Sequence, residues 1–291
     1  MSEQNGIEAR AEVLIEALPY IQQFRGATIV VKYGGAAMVD DELKRSVCAD
    51  VALLHYVGMR PVIVHGGGKK ISEVMERLGL EPTFIEGLRV TDDATMEVAE
   101  MVLVGTIAQD LASQVQAAGV SAVAISGRDG CVLGACRMEG PNGADLGHVG
   151  EVTEIRPRLI LDLINAGHIP VISPIGRDTS GAPLNINADH VAGALAVELE
   201  AQKLVTLSDV PGLLADREDP LTLISELSLT EAREMLTSDA VGSGMIPKMQ
   251  SCIMAVEGGV ERAHMIDGSR PHSLLIELFS EQGIGTMVVA D

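Results

Sequence analysis

The sequence predicts an α/β fold in which helices cover an open β-sheet. Predicted strands and amphipathic helices alternate along the chain, beginning with a strand at 27–32, a helix at 41–56 and a strand at 61–65. Glycine-rich turns follow both strands, as expected where a chain leaves a sheet and enters a helix. Hydrophobic residues make up 47% of the 291 residues, which is enough for a large core, although aromatic residues make up only 2%.

The composition argues against several classes of protein. The net charge of −20 disfavours nucleic acid as a partner, because its phosphates require a basic surface. An anionic substrate would therefore need a local cluster of cations. The four cysteines form no CxxC pair, so we expect reduced thiols in a cytoplasmic protein, with neither a disulfide nor a zinc site. No apolar run approaches the roughly 20 residues that span a bilayer, so no membrane association is expected.

The first segment, 7–24, has the residue spacing of an amphipathic helix. Val13, Leu18 and Ile21 share an apolar stripe, and Pro19 is expected to kink the helix or to end its first part. The stripe has to be buried, either against the rest of this chain or against another subunit. The pattern slightly favours another subunit.

The first strand ends in a cation and two glycines, Lys32, Gly34 and Gly35. Ligands of open α/β sheets bind where strands end at their carboxyl side, so an ammonium group here would face a crevice. The glycines allow a sharp turn with N–H groups that can hold an anion. We interpret Lys32 as a residue that binds a phosphoryl group. The alternative is a lysine that extends from the strand end into solvent.

The second strand runs into a glycine-rich turn, His65–Gly68, and then into a predicted helix. N–H groups at such a helix N-terminus can bind an anion. The turn is not a P-loop, since Ile63 and Lys70 stand where that motif needs glycine and serine or threonine. It is not a dinucleotide-binding fingerprint either, because Ile71 replaces the last glycine. A tight structural turn is the alternative interpretation.

A cationic residue precedes the next predicted helix. Arg89 lies just before a long helix expected at 92–118, which Thr91 could cap, and a guanidinium group suits a carboxylate ligand. A surface salt bridge is the alternative role of Arg89.

The stretch Asn185–Asp189 alternates polar and apolar residues ahead of a second predicted helix. Asn187 or Asp189 could cap that helix. If the stretch is extended, Asn185, Asn187 and Asp189 would all point to the same side. A cap needs only one such residue, so three in phase indicate a polar site.

The segment 131–155 is predicted to form a hairpin around a Gly-Pro-Asn-Gly turn. We expect it to fold over the site as a lid, although an ordinary surface hairpin fits equally well. His148 in this hairpin could act as a general base, but a structural role is more common. Lys248 lies in the first turn of a helix predicted at 246–256, where a cation opposes the helix dipole, and a bound anion would compensate.

Seven short motifs occur in an order that resembles the amino acid kinase family, and within it the enzymes that phosphorylate N-acetyl-L-glutamate. Each motif is weakly specific alone, whereas the seven in this order are highly specific. They are Val31–Gly35, His65–Gly68, Gly87–Thr91, Gly147–Gly150, Asn185–Asp189, Leu207–Gly212 and Gly244–Lys248. The resemblance implies a three-layer α/β/α sandwich around a mainly parallel sheet. It also implies an acetylamino-acid-binding lobe at 26–182 and a nucleotide-binding lobe at 183–291.

The resemblance implies transfer of the γ-phosphoryl group of ATP, with Mg²⁺, to the γ-carboxylate of N-acetyl-L-glutamate in arginine biosynthesis. Lys32 and Lys248 would reach that group from opposite sides, and Asp189 would position both lysines. The attacking carboxylate is already ionised at neutral pH, so no general base is required. The residues expected to bind the acceptor substrate are Gly67, Gly68, Arg89, Asn185 and Asn187. Those expected to border the nucleotide are Gly34, Gly35, Asp209, Gly212, Leu214, Gly242 and Ser243.

The resemblance also gives a role to the N-terminal helix at 1–25. Members of the family that arginine inhibits use such a kinked helix to link dimers into a hexamer, a trimer of dimers. We therefore expect this hexamer, with arginine as an effector. The residues expected around arginine are Tyr20, Lys203, Glu277 and Gly285. The resemblance does not decide whether a signalling protein of the PII family binds as a partner.

Two alternatives remain at this point. Kinases that act on N-acetyl-2-aminoadipate share the fold and the chemistry, and their substrate is one methylene longer, which changes binding by only about 1–3 kcal/mol. The other alternative is a non-catalytic sensor of arginine or nucleotide on the same scaffold. The presence of Lys32, Asp189 and Lys248 argues against a sensor.

Overall fold

The computed structural model describes residues 15–38, 40–216, 219–237, 241–242, 244–280 and 283–291. An eight-stranded sheet lies at its centre. From one edge to the other its strands are β12 (Glu226–Ser228), β14 (Thr286–Val289), β13 (Arg262–Asp267), β11 (Lys203–Ser208), β1 (Thr28–Tyr33), β2 (Arg60–His65), β8 (Ile169–Ser173) and β5 (Ala122–Ser126). Neighbouring strands are parallel except for β13 and β14.

Helices cover both faces of the sheet. They are α1 (15–24), α2 (Asp41–Tyr56), α3 (Gly68–Arg77), α4 (Asp93–Glu100), α5 (Ala108–Ala117), α6 (Arg158–Asn165), α7 (Ala188–Glu198), α8 (Leu229–Thr237), α9 (Ile246–Glu257) and α10 (Ser273–Phe279). Side chains alternate along each strand, so Ile29 and Val31 join one buried cluster and Val30 joins the other. This arrangement confirms the predicted three-layer α/β/α fold.

The predicted hairpin at 131–155 is confirmed as β6 (Leu133–Glu139) and β7 (Asp145–Ile155). It closes into a small four-stranded barrel with β9 (Ile175–Arg177) and β10 (Pro183–Ile186). The hairpin is thus tied on both sides to other strands of the same chain. A two-stranded ribbon, β3 (Phe84–Ile85) with β4 (Leu88–Arg89), leads to Thr91, which forms a β-bridge with Gly147 of the hairpin.

Two local predictions are wrong. Thr91 does not cap the long helix; Asp92 does, because its carboxylate accepts from the N–H of Thr95 at 2.8 Å. A carboxylate is among the strongest N-cap acceptors, which explains the preference. The segment Asn185–Asp189 is not extended throughout, since β10 ends at Ile186 and α7 begins two residues later. The predicted cap is confirmed, since Asn187 is the N-cap of α7 and accepts from the N–H of Asp189 at 2.8 Å.

The long helix predicted at 92–118 is interrupted by a wider, π-helical segment, Met101–Ile107, between α4 and α5. Such segments often mark functional sites. At the N-terminus, α1 is continuous through Pro19 over residues 15–24, while residues 1–14 of the predicted helix lie outside the described part of the chain. Among the described residues, no helix combines the length and the hydropathy required to traverse a bilayer.

Candidate active site

A buried ion pair lies at the carboxyl end of the central strand. Lys32 is the fifth residue of β1, and its Nζ lies 2.9 Å from Oδ1 of Asp189. The two residues are only 6% and 7% exposed, respectively. Gly34 makes room for the ammonium group, because a Cβ there would lie 2.7 Å from Nζ. Apart from the ion pair, no described residue makes a hydrogen bond to Oδ1 of Asp189.

The packing of α9 on α7 brings Lys248 to this pair. Gly193 allows the helices to approach closely, since a Cβ there would meet Ser251 Oγ at 2.7 Å. Ser251 in turn donates to the carbonyl oxygen of Asp189 at 2.6 Å. Burial lowers the pKa of Lys248, and nearby Lys32 adds to this, while Asp189 and Asp209 oppose it. Lys32 and Lys248 are 216 residues apart in the chain, and the charges of both interact with the carboxylate of Asp189.

The side chain of Lys248 is anchored to the segment just before its own helix. Its Nζ donates to the carbonyl oxygen of Gly244 at 2.8 Å. That bond uses one of three ammonium protons, so donors remain for an anion. The convergence of Lys32 and Lys248 on a phosphoryl group, with Asp189 positioning both, stays a prediction.

A first cavity of about 240 Å³ is lined by Ala188 and His190, the residues on either side of Asp189 in the chain. Its walls come from the glycine turn after β2, from the β3–β4 ribbon, from the barrel and from the N-terminus of α7. Among the predicted substrate-binding residues, it is lined by Gly67, Gly68, Arg89, Asn185 and Asn187. The structure therefore brings these five residues together.

Arg89 is fixed at the wall of this cavity. Its Nη2 donates to the carbonyl oxygen of Gly68 at 2.8 Å and to Oγ of Ser72 at 2.9 Å. The guanidinium carbon lies 4.7 Å from the centre of the Phe84 ring. Burial lowers the pKa of Arg89 from its usual value, but a guanidinium group remains charged at neutral pH. Arg89 therefore places a fixed positive charge at the cavity wall instead of forming a surface salt bridge.

The two asparagines differ in their freedom. Asn185 contacts Oγ1 of Thr91 through Nδ2 at 3.4 Å, which links β10 to the segment after β4. Asn187 uses its side-chain oxygen to cap α7, which leaves its amide protons as the donors that can face a ligand.

A second cavity, of about 360 Å³, lies at the carboxyl end of β11. Its lining includes four of the predicted nucleotide-binding residues, Asp209, Gly212, Leu214 and Gly242, together with Lys248. Gly212 has a backbone φ of 149°, and a Cβ there would lie 2.6 Å from Oγ1 of Thr286. Only glycine fits this turn. Ser243 lies outside the described residues.

Gly35 packs against the loop that follows β11. Its φ is 74°, and a Cβ there would lie 3.3 Å from the backbone nitrogen of Asp209. A larger cavity of about 450 Å³ lies behind the glycine turns; Gly35, Gly67 and Gly68 line it together with Lys44 and other residues. The glycine turns thus form thin walls between cavities.

His148 is not placed as a general base. Its Nε2 lies 2.6 Å from Oδ1 of Asp93 at the start of α4, so the ring ties the barrel to this helix. This contact favours the structural role that was the alternative for His148.

The predicted arginine-binding residues cluster at the other end of the sheet. Nζ of Lys203 lies 3.4 Å from Nε2 of His264 and 4.7 Å from the centre of the Phe24 ring at the end of α1. Glu277 contacts Nδ1 of His264 at 2.6 Å and accepts from the N–H of Gly285 at 3.2 Å. The remaining candidate, Tyr20, packs on the same side of the core as Phe24.

Sequence reasoning missed several residues of these clusters. His264 and Phe24 were not singled out, because a histidine in a strand and a phenylalanine at a helix end carry no local signal. Ser173 was missed as well; its Oγ lies 3.0 Å from Nε2 of His65 at the foot of the glycine turn. A serine at the carboxyl end of a predicted strand was the only local signal, and the sequence does not show that its strand lies next to β2.

Comparisons with known proteins agree with this geometry. The family model described as the amino acid kinase family matches residues 27–267. Acetylglutamate kinase of Symbiobacterium thermophilum is 50% identical over 285 residues, covering 96% of this chain and 97% of that protein. Acetylglutamate kinase of Acaryochloris marina is 51% identical over 281 residues, covering 97% and 98%.

Solved structures show the same fold. N-acetylglutamate synthase from Neisseria gonorrhoeae, complexed with coenzyme A and N-acetyl-glutamate, matches with a TM-score of 0.86 and 28% identity over 97% of this chain. This chain spans 63% of the length of that synthase. Carbamate kinase from Giardia lamblia bound to AMP-PNP matches with a TM-score of 0.67 at 18% identity, over 91% of this chain and 99% of that one.

The expected resemblance is thus confirmed by half-identical relatives, and the expected fold by the solved structures. A family model that spans most of the chain and near full-length relatives named acetylglutamate kinase lead to one conclusion: this chain is a kinase that belongs to the amino acid kinase family.

Proposed function

We propose that this chain transfers the γ-phosphoryl group of ATP to the γ-carboxylate of N-acetyl-L-glutamate, as a step of arginine biosynthesis. The observation that carries the proposal is the Lys32–Asp189 pair within the field of Lys248. Ala188, next to Asp189, lines the first cavity, and Lys248 lines the second. This arrangement supports a reaction in which an acceptor in the first cavity meets a nucleotide in the second near the two lysines.

The reaction is mainly a problem of charge. A carboxylate oxygen attacks the γ-phosphorus, the bond to the β-phosphate oxygen breaks, and ADP leaves with that electron pair. No proton has to move. Two like charges 4 Å apart repel by about 4 kcal/mol near a protein surface. Lys32 and Lys248 must therefore neutralise the negative charges of the carboxylate and the triphosphate as they approach each other. Both ammonium groups act most strongly on the migrating phosphoryl group, where charge is spread over its oxygens.

Asp189 has a different task from the lysines. It lies 2.9 Å from Nζ of Lys32, so it holds that side chain in place before the substrate arrives. Ser251 fixes the backbone of Asp189 by donating to its carbonyl oxygen. Preorganisation of this kind stabilises the transition state without a reorganisation cost during the reaction.

The first cavity suits an acylated amino dicarboxylate. Arg89 offers guanidinium protons to the α-carboxylate, and Asn185 and Asn187 offer amide donors to the acetylamino group. The relatives at 50–51% identity are named acetylglutamate kinase. The lobes proposed at 26–182 and 183–291 are supported by the second cavity, whose lining residues all fall between 209 and 248.

The side chains fit a magnesium ion that arrives on the nucleotide. The described residues contain no group of three or more histidine, cysteine, aspartate or glutamate side chains that could hold a metal. Mg²⁺ commonly takes most of its ligands from phosphates and water and one or two from carboxylates, and Asp209 is the carboxylate that lines the second cavity. When bound, the ion would neutralise charge on the β- and γ-phosphate oxygens.

The test is formation of an acyl phosphate. Purified protein with Mg-ATP and N-acetyl-L-glutamate should yield a hydroxamate when hydroxylamine is present. A higher kcat/KM for N-acetyl-2-aminoadipate would replace the substrate assignment. Absence of trapped product with either acceptor would leave the non-catalytic sensor as the better description.

Lys248→Ala tests the mechanism within that assay. We expect kcat to fall about 100- to 1,000-fold while the KM values change far less, because the ammonium group acts mainly in the transition state. A near-normal kcat would remove Lys248 from the mechanism. Arg158→Ala is the control, since its guanidinium group pairs with Asp162 on the exposed surface of α6, away from both cavities.

Feedback inhibition by arginine is a second proposal, supported by the Lys203–His264–Glu277 cluster next to α1. Glu277 and the nearby carbonyl groups could bind a guanidinium group, and the synthase from Neisseria gonorrhoeae has also been solved with L-arginine. We further propose that residues 1–25 link dimers into a hexamer. Deletion of residues 1–24 should abolish both the hexamer and inhibition; an inhibited dimer would contradict both. Binding of a PII-family protein can be measured on the same samples.

A further inference from the structure

His65 is a buried, polar residue that the mechanism above does not use. It is the last residue of β2, its exposure is 0%, and it immediately precedes the glycine turn. Its Nδ1 lies 2.9 Å from the carbonyl oxygen of Gly66. Its Nε2 lies 3.0 Å from Oγ of Ser173, at the end of the neighbouring strand β8. Both ring nitrogens are thus engaged.

These contacts assign the proton of the ring. A carbonyl oxygen only accepts, so Nδ1 must carry the proton that bonds Gly66. Burial lowers the pKa of His65 to about 4, so the ring is neutral at physiological pH. Nε2 then has a lone pair that can accept from the hydroxyl group of Ser173, whose single proton can alternatively go to the carbonyl oxygen of Leu103. The bond to Gly66 therefore sets the tautomer.

The bond to His65 fixes the direction of one peptide group. The N–H of Gly66 donates to the carbonyl oxygen of Tyr33 at 2.8 Å, and its carbonyl oxygen accepts from His65. The described chain has no cis peptide bonds, and in a trans peptide the C=O and the next N–H point in opposite directions. The N–H of Gly67 therefore points away from the His65 ring.

Gly67 is held from its other side as well. A Cβ at this position would lie 2.5 Å from Cδ2 of Leu103 and 2.6 Å from Cδ1 of Ile107, both in the π-helical segment. Oγ of Ser173 is also 3.2 Å from the carbonyl oxygen of Leu103. His65, Ser173 and the π-helical segment thus enclose the turn. The N–H groups of Gly67 and Gly68 lie at the start of α3, where N–H groups have no partner within the helix.

We infer that His65 is a positioning residue, whose Nδ1–H holds the Gly66 carbonyl oxygen so that the N–H of Gly67 points at the oxygen atoms that approach one another during phosphoryl transfer. This inference rests on the proposed function. The aimed N–H stabilises charge in the transition state, so it acts on kcat more than on substrate binding. His65 itself touches neither substrate.

Two substitutions of nearly equal size separate this role from simple packing. In His65→Asn, the side-chain NH₂ lies close to the position of Nδ1 and can still donate to Gly66, while the contact with Ser173 is lost. In His65→Gln, the amide reaches the position of Nε2 and can contact Ser173, while the donor to Gly66 is lost. Each variant keeps one half of the network.

We expect His65→Asn to keep kcat within about 5-fold of the original protein and His65→Gln to lower it about 100-fold, the size found for one oriented donor. The KM values for ATP and N-acetyl-L-glutamate should change little in both. Equal losses in the two variants, or a rise in KM without loss of kcat, would overturn the inference. Activity of the unsubstituted protein is the control, because its absence would refute the proposed function instead.

Thermal unfolding of both variants checks that the folds are intact. Should either variant fail to fold, the tautomer can be measured in the unsubstituted protein by nitrogen NMR of labelled histidines, with the His65 ring assigned through its contact with Ser173. A proton on Nδ1 at neutral pH would support the inference. A proton on Nε2 would overturn it, because Gly66 would then have no donor.

Discussion

Two buried lysines occupy neighbouring strands of the central sheet but opposite ends of it. Lys32 lies near the carboxyl end of β1 and Lys203 at the amino end of β11, where Ile29 is its register partner. Their exposures are 6% and 4%, so both cations have been removed from water. They differ in what compensates the charge.

Lys32 has a carboxylate in direct contact, Asp189 at 2.9 Å. Lys203 has none within ion-pair distance among the described residues; its neighbours are the His264 ring and the face of Phe24. Burial lowers the pKa of Lys203 to about 8, and Arg262 adds to this, while Glu277 and Glu261 oppose it. The charge of Lys32 is therefore compensated by a carboxylate and the group can still bind an anion, whereas the positive charge of Lys203 is destabilised by burial.

The difference teaches how one sheet can hold two unlike sites. Carboxyl ends of parallel strands meet helix N-termini and glycine turns, which favour phosphates. The amino end lacks these donors, so the Lys203 cluster depends on side chains from β13, α10 and α1. A site of that kind is suited to regulation, because a ligand can supply the missing compensation.

The largest expected effect separates the two lysines in catalysis. Lys32→Met should lower kcat by about 100- to 1,000-fold or more, since it removes a charge that acts on the migrating phosphoryl group. Lys203→Met, the same change one strand away, should leave kcat within about 3-fold. Hydroxamate formation measures both. Comparable losses of kcat in the two variants would show that the Lys203 cluster is not separate from the catalytic site.

The next effect concerns stability against pH. Because the pKa of Lys203 is lower in the native state than its usual 10.5, the native state loses this proton first as pH rises from about 8. The free energy of unfolding should therefore gain on the order of 3 kcal/mol between pH 8 and 10.5 from this residue. Lys203→Met removes that gain, so its stability relative to the original protein should be highest near pH 7 and decline towards pH 10.

Lys44→Met is the control with the opposite sign. Burial lowers the pKa of Lys44, but the hydrogen bonds to Asp110 and Asp41 and the charges of these two carboxylates together outweigh it and raise the pKa overall. Its stabilising contribution is therefore fully present below pH 10.5 and is lost only above it. Urea unfolding from pH 7 to 10 should show no drift for Lys44→Met. A parallel drift in both variants would contradict the assignment to Lys203.

The smallest effects come from the aromatic rings beside each cationic site. Phe24 lies 4.7 Å from Nζ of Lys203, and Phe84 lies 4.7 Å from the guanidinium carbon of Arg89. A cation–π contact contributes about 0.5–2 kcal/mol. Phe24→Leu should weaken inhibition by arginine less than about 30-fold with an unchanged KM, and Phe84→Leu should raise the KM for N-acetyl-L-glutamate with unchanged inhibition. A crossed result in steady-state kinetics would show that the two ends of the sheet are coupled.

Much of this protein could be predicted because its signals are local. The strand that ends in Lys32, the helix at 41–56 and the hairpin at 131–155 follow from residues close in sequence. Where several local signals compete, the prediction failed. Thr91 and Asp92 are both good caps, and only the contacts of the folded chain show that Asp92 is the one used.

The sequence by itself determined the order of strands and helices, the glycine turns and the two lysines close to glycine-rich turns, because hydrophobic periodicity and turn chemistry act within a few residues. Tertiary structure alone decided that Lys32 meets Asp189, that His65 meets Ser173, and that Lys203 meets His264 and Phe24. Each of these contacts joins segments far apart in the chain. Their partners are selected by strand order and helix packing, which depend on the whole core at once.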